Sequence, residues 1–276
     1  MILANSLDAS ASGYQSQTST GVWNGRTFQA TGGITLINPD GTGGNTTIVG
    51  GAGSPSVNSV LDGFDDFINE GAASALTFGD TPWALASGAT IPSASIIVAG
   101  HPGIVSSKTT GYFGLFKGYV AGPTGTLQLG GGVLTVTFYF RINSLTTYTV
   151  SMGLTDVPEP GADAVNGVYL IGQNGVNSGN WQGKTATAST ITTANSSTAV
   201  TTAWTVAQIV VNAAATSASF YIGTTLANLA QIANSPISTN IPTSAKLGIN
   251  WGVANAGSGT VDLDLVTWNY ALTTAR

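Results

Sequence analysis

Residues 133–142, VLTVTFYFRI, carry the reading that decides the fold. Leu134, Val136, Phe138, Phe140 and Ile142 fall on one face; Val133, Thr135, Thr137, Tyr139 and Arg141 fall on the other. Period-two alternation of this kind is a β-strand with one face in a core. The pattern recurs in SASFYIG, where Ala218, Phe220 and Ile222 oppose Ser217, Ser219 and Tyr221. Residues 203–212 set Trp204, Val206 and Val210 opposite Ile209 and Val211, apolar on both faces, which predicts a strand inside a sheet. In VDLDLVTWNY, Val261, Leu263 and Leu265 alternate with Asp262, Asp264, Val266, Trp268 and Tyr270, so both aspartates are expected on one face with the two aromatics. Helix is scarce. In LDGFDDFINE the residues Leu61, Phe64, Phe67 and Ile68 stand at helical spacing, but Gly63 weakens a helix, and a short turn or capping element is expected there. Short strand patterns between turn signals over roughly 215 residues predict one all-β sandwich or barrel from residue 61 onward.

The chain before that point reads differently. Residues 1–20 are rich in Ser, Ala, Gln and Thr, lack periodicity, and are expected to form an arm for attachment. Residues 21–48, GVWNGRTFQATGGITLINPDGTGGNTTI, string short β-prone pieces (26–30, 33–38 and 45–49) between glycine turns. Ile34, Leu36, Ile37 and Ile48 are too few to hold such a segment together, because a very small unit buries too little surface. Copies of the same segment would supply the missing faces, so an intertwined homo-oligomer is expected. Residues 51–60, GAGSPSVNSV, read as a linker. The predicted organisation is an arm over 1–20, a glycine-rich stalk and linker over 21–60, and a sandwich head over 61–276.

Composition narrows the chemistry. Only 7% of the residues are charged, whereas a typical soluble domain is about a quarter charged. Thr, Ser and Asn take the polar positions and suit closely spaced strands. A net charge of −5 with seven scattered Lys and Arg argues against nucleic acid as a partner. The absence of cysteine excludes disulfides and thiolate chemistry. No apolar run is long enough for a membrane helix, and MILANSLDAS lacks the basic flank and apolar length of a signal peptide. A chain with the look of an extracellular β-protein and no export signal is expected to be a virion component; a piece cut from a longer secreted protein would explain the same features.

Two resemblances follow from particular residues. The first lies in residues 21–49: WNG at 23–25, TF at 27–28, GITL at 33–36, NPDG at 38–41 and GNTTI at 44–48. This order resembles a short repeat of tailed-bacteriophage fibre proteins, in which the segment winds into a trimeric β-stalk. The resemblance implies a homotrimer with Trp23, Phe28, Ile34, Leu36, Ile37 and Ile48 in the stalk, attached to other virion proteins through the N-terminal region. The second covers most of residues 61–276, through FDDF at 64–67, HPGIV at 101–105, SMGLTD at 151–156, NGVYL at 166–170, NW at 180–181, FYI at 220–222, TNIPT at 239–243 and VDLDLV at 261–266. It resembles the concanavalin-A-like jelly roll of phage and environmental-virus structural proteins. A glycine beginning an N-G turn is expected after FYI, whereas this chain has Gly223, Thr224 and Thr225.

Candidate chemistry is sparse. The single histidine, His101, sits in GHPGI and is expected to be a hydrogen-bonded turn residue rather than part of a Ser–His–Asp relay. One His and no Cys leave no zinc site, and no cofactor is expected. Asp62, Asp65, Asp66 and Glu70 cluster within nine residues and read as a solvated or capping face, with a carboxylate pair or a calcium site as alternatives. Asp262, Asp264 and Trp268 could offer acceptors and a ring to a sugar, or could guard an edge strand. Asn180 with Trp181, and Trp251 after Asn250, are sugar-contact candidates of the same kind, with packing as the alternative. The expected function is therefore a phage fibre or spike whose head contacts host-surface polysaccharide without catalysis. A capsid decoration protein and a polysaccharide-degrading spike are the alternatives.

Overall fold

The computed structural model describes residues 16–18, 22–24, 34–37, 47–50, 60–67, 77–78, 83–85, 93–108, 110–115, 125–156, 163–254 and 260–274. The chain divides into two units, Met1–Val57 and Asn58–Arg276. In the first, β1 (Ser16–Thr18) pairs with β2 (Val22–Asn24), and β3 (Ile34–Ile37) pairs with β4 (Thr47–Gly50), both antiparallel. Trp23, Ile34, Leu36, Ile37 and Ile48 thus lie on strands, while Phe28 and the piece 26–30 lie outside the described residues.

The second unit opens with β5 (Val60–Asp65), β6 (Thr77–Phe78), β7 (Trp83–Leu85), β8 (Ser93–Val98), β9 (His101–Lys108) and β10 (Thr110–Leu115). It continues through β11 (Gly132–Ile142), β12 (Thr149–Thr155), β13 (Gly167–Gln173), β14 (Asn180–Thr187) and β15 (Thr190–Ala199). It closes with β16 (Thr205–Val211), β17 (Ala218–Gly223), β18 (Ala230–Gln231), β19 (Gly248–Ala254) and β20 (Thr260–Leu272). The only helical turns among the described residues are two short 3-10 turns, Asn177–Gly179 and Leu226–Asn228.

These strands form two antiparallel sheets packed as a jelly-roll sandwich. The first sheet runs β15-β14-β13-β12-β19-β10-β7-β6, and the second runs β18-β17-β16-β11-β20-β9-β8 with β5 also paired to β20. The alternation in β11 is realised: Leu134, Val136, Phe138, Phe140 and Ile142 are all at most 1% exposed. Ala218, Phe220 and Ile222 of β17 join them in the core, and β16 lies inside its sheet between β17 and β11, as its two apolar faces require. From the first sheet come Val150, Met152, Leu154, Val168, Leu170, Ile249 and Val253. Burial of each large side chain of this kind stabilises by about 1.5–3 kcal/mol.

Several aromatic and polar contacts fix the two sheets. Trp251 packs 5.2 Å from Phe140 and 6.2 Å from Phe138, and Trp181 meets Phe140 edge-on at 5.7 Å. Aromatic pairs add about 0.5–1.5 kcal/mol each beyond burial. The Trp83 Nε1–H of β7 donates to the Asp65 carboxylate of β5 at 2.8 Å, a buried bond between elements of opposite sheets. The expected turn over LDGFDDFINE is corrected: residues 60–65 are strand β5, with Leu61 and Gly63 turned inward and Asp62 and Phe64 outward. The helical spacing there is incidental, since pairing along β20 overrides it. The strand ends where Phe67 adopts φ +53° and its N–H is accepted by Asp65 Oδ1 at 3.1 Å.

Strand β20 also departs from simple alternation. Tyr139 pairs with Leu265 and Phe140 with Leu263, so Asp264 is an extra residue in a β-bulge. Val261 and Leu263 face the core before it, and Val266, Trp268 and Tyr270 face the core after it. The bulge coincides with a change of partner: β9 pairs with residues 260–263 and β5 with residues 266–271. The sequence reading that set Asp262 and Asp264 on one face with Trp268 and Tyr270 is therefore corrected.

Candidate functional site

The outward face of the second sheet brings together the polar and aromatic groups that the core does not use. Registers define it. Phe64 of β5 stands opposite Thr267 of β20, Thr267 opposite Thr137 of β11, Thr137 opposite Gln208 of β16, and Gln208 opposite Tyr221 of β17. Paired residues share a face. The five side chains therefore form one row across five strands, which at the usual interstrand spacing is about 19 Å long. A ring stands at each end, and hydroxyls and an amide lie between. Gln208 Nε2 donates to Thr137 Oγ1 at 3.1 Å, which fixes the middle of the row.

At the β5 end the row opens into a cleft of about 540 Å³, lined by Asp62, Phe64, Asp66, Thr135, Thr267 and Asn269 among others. Phe64 is 61% exposed, an unusual position for a phenyl ring on a sheet otherwise rich in hydroxyls. Asp62 stands directly opposite Asn269 and is exposed. Ring, carboxylate, amide and hydroxyl are the groups that grip a sugar: the ring stacks on C–H faces, and the others take directional hydrogen bonds from or to hydroxyls.

Beyond the bulge, the same sheet face carries a second cluster built differently. Asp262 is 1% exposed and accepts from Ser106 Oγ at 2.7 Å, Arg141 Nη2 at 2.7 Å and Nε at 3.2 Å, and Asn143 Nδ2 at 2.8 Å. His101 Nδ1 lies 2.6 Å from Asp264 Oδ2; a carboxylate accepts, so the imidazole donates from Nδ1. The imidazole stacks on Trp204 with ring centroids 3.8 Å apart, and the Arg141 guanidinium lies 4.8 Å from the same indole. His101 is thus hydrogen-bonded, as its sequence context predicts, though it opens a strand. Ser106 is bound to Asp262 and not to His101, so no Ser–His–Asp relay is assembled from these groups.

The remaining sugar-contact candidates are not brought to this face. Trp181 is 1% exposed and Trp251 0%, both in the core, so neither ring offers a stacking surface. β14 turns Trp181 and Gly183 inward; a Cβ at Gly183 would come 2.5 Å from Phe220. Asn180 begins that strand half-buried, beside a register shift that follows it. Trp268, 6% exposed, faces inward against Gly63, where an added Cβ would lie 2.5 Å from Cζ2, and it is among the residues that line the cleft. Asp262 and Asp264 are engaged as described. The residues missed at the sequence level are Phe64, Thr267, Thr137, Gln208 and Tyr221 as a set, and Trp204 and Arg141 as partners of the aspartates. Only cross-strand register unites them.

The opposite sheet has its own outward cluster, Tyr169, Asp163 and Lys184. Tyr169 Oη donates to Asp163 at 2.8 Å and Lys184 Nζ lies 2.5 Å from the same carboxylate oxygen. Burial first, then the Asp163 hydrogen bond and charge, hold the Tyr169 phenol far above its ordinary value of 10.0. No group of three or more His, Cys, Asp or Glu that could hold a metal ion occurs among the described residues, and no helix among them is long and apolar enough to cross a membrane.

No family model matches the chain, and no curated protein matches it. Among solved structures it is similar to a protein of unknown function from Shewanella oneidensis MR-1, at 17% identity over 79% of this chain and 90% of that one, with a TM-score of 0.55. It also aligns with peanut lectin bound to a nine-residue peptide, at 10% identity over 78% of this chain and 99% of that one, TM-score 0.47. An endo-1,3-beta-glucanase from Streptomyces sioyaensis aligns at 11% identity over 79% and 98%, TM-score 0.48. At such identities the likeness speaks for fold alone, and the first of these, with a TM-score above 0.5, agrees with the two-sheet β-sandwich of the second unit.

Proposed function

We propose that the chain is a glycan-binding head carried in three copies by a virion fibre or spike. The observation that carries the binding part is the aromatic-ended row Phe64–Thr267–Thr137–Gln208–Tyr221 with its open cleft. Its length of about 19 Å suits several consecutive sugar units in an extended chain. The rings supply stacking at both ends, and the Thr, Gln and Asn side chains supply hydrogen bonds between. The Asp262 and Asp264 clusters hold the neighbouring part of the sheet rigid, so that the row is preorganised and little ordering cost falls on binding.

The virion part rests on the sequence: the fibre-type repeat in residues 21–49, a composition low in charge, and too little apolar surface in that repeat for a lone copy. Three linked heads would raise the avidity of weak sugar sites by ~10²–10⁴-fold. The N-terminal region would join the trimer to other virion proteins, and the heads would meet host-surface polysaccharide.

The test is direct. The intact protein is screened on an array of neutral, amino and acidic oligosaccharides, with Phe64→Ala and Tyr221→Ala beside it. Binding by the wild type that falls at least about tenfold in either variant supports the reading. Binding that survives both substitutions, or release of reducing ends from the bound glycan, overturns it.

A further inference from the structure

We propose that the row selects by charge: it takes non-acidic glycans and turns away those bearing carboxylate, with Asp62 as the discriminating residue. This rests on the glycan reading above. Asp62 points outward from β5, exposed, at the wall of the cleft and opposite Asn269. Asp66 lines the same cleft. A sugar hydroxyl can donate to the Asp62 carboxylate while Asn269 offers both a donor and an acceptor. A sugar ammonium group would gain attraction as well.

A sugar carboxylate meets the opposite situation. The guanidinium that β11 presents on this face, Arg141, is held by Asp262 through both Nε and Nη2, and it lies against Trp204. The imidazole of His101 is held by Asp264. Neither group is free to turn toward an acidic ligand without leaving a carboxylate behind, and Asp262 is too buried to be left alone. The chain as a whole carries −5. An acidic glycan therefore meets repulsion at the cleft, and neither of these two groups is free to offset it. Because Asp62 is exposed, the effect is modest and screened by salt: about fivefold at low ionic strength, fading toward unity by ~0.5 M.

The experiment uses the intact protein and one pair of ligands. The tightest neutral oligosaccharide from the array is compared with its counterpart oxidised to the carboxylate at C6, by calorimetry at 20 mM and 500 mM salt. The wild type should bind the oxidised sugar about fivefold more weakly at 20 mM, with the gap closing at 500 mM. Asp62→Asn should bring the two sugars within about twofold of each other at low salt, whatever the substitution does to the affinity they share. Equal or tighter binding of the oxidised sugar by the wild type, an array led by acidic glycans, or a gap unchanged in Asp62→Asn would overturn charge selection while leaving the glycan reading standing. Absence of binding to every glycan class would remove both.

Discussion

Asp262 and Asp62 are the same residue type on the same outward sheet face, yet their surroundings are opposite. Asp262 is buried and saturated by Ser106, Arg141 and Asn143. Asp62 is exposed and opposite an amide, beside a phenyl ring that is itself 61% exposed. The difference teaches where function can lie. A carboxylate whose lone pairs are filled by its own protein is part of the frame. One that stands beside an uncovered ring and an open cleft has capacity left for a ligand. The bulge at Asp264 is the border between the two, because there β20 exchanges β9 for β5 as its neighbour.

If that division holds, Asp262→Ala should be the most damaging change. It strips a half-buried guanidinium, a hydroxyl and an amide of their shared acceptor, and should cost about 3 kcal/mol in urea unfolding. A loss below about 1 kcal/mol would show that the web is not part of the frame. Gly63→Ala comes next. Its methyl would meet the Trp268 ring at 2.5 Å, and displacing a packed indole should cost about 1–3 kcal/mol in the same assay. Phe64→Ala inverts the pattern: stability should change by less than about 0.5 kcal/mol, because the ring is exposed, while glycan affinity falls at least about tenfold. A Phe64→Ala protein that unfolds easily would move this ring from the row to the frame.

The smallest effect is expected on the opposite sheet and at alkaline pH. The folded-state value of Tyr169 is raised, so its contribution is fully present below the ordinary value of 10.0 and is lost as pH rises above it. Unfolding midpoints should fall above pH 10 for the wild type and fall less steeply for Tyr169→Phe. Parallel curves would mean that the phenol's burial does not couple to folding.

Much of the fold was legible in the sequence because alternation reports burial directly. The core faces of β11 and β17 needed nothing beyond period two, and the two-sided apolarity of residues 203–212 placed β16 inside its sheet. The bulge at Asp264 was not legible. One extra residue reverses every later face, and no residue type in VDLDLVTWNY marks it. The strand over residues 60–65 was hidden for a related reason: Leu61, Phe64 and Phe67 mimic a helical stripe, although Phe64 points away from the other two. The candidate site was the least legible part. Its five members lie between residues 64 and 267, and only hydrogen-bonded register puts them in line. Trp181 and Trp251 misled for a converse reason, since an indole flanked by asparagine reads as a platform until its strand face is known.

The stalk expectation stands on its own measurement, the mass of the intact protein by light scattering, which should come to three times the 27.7 kDa chain. The central claim, that the row on the second sheet is where a glycan lies, is tested most directly by a crystal structure of the protein with the tightest oligosaccharide from the array. The sugar chain should run across β5, β20, β11, β16 and β17 with rings stacked on Phe64 and Tyr221. A sugar held on the outward face of the other sheet, or at its Tyr169–Lys184 cluster, with the Phe64 cleft empty, would contradict the account.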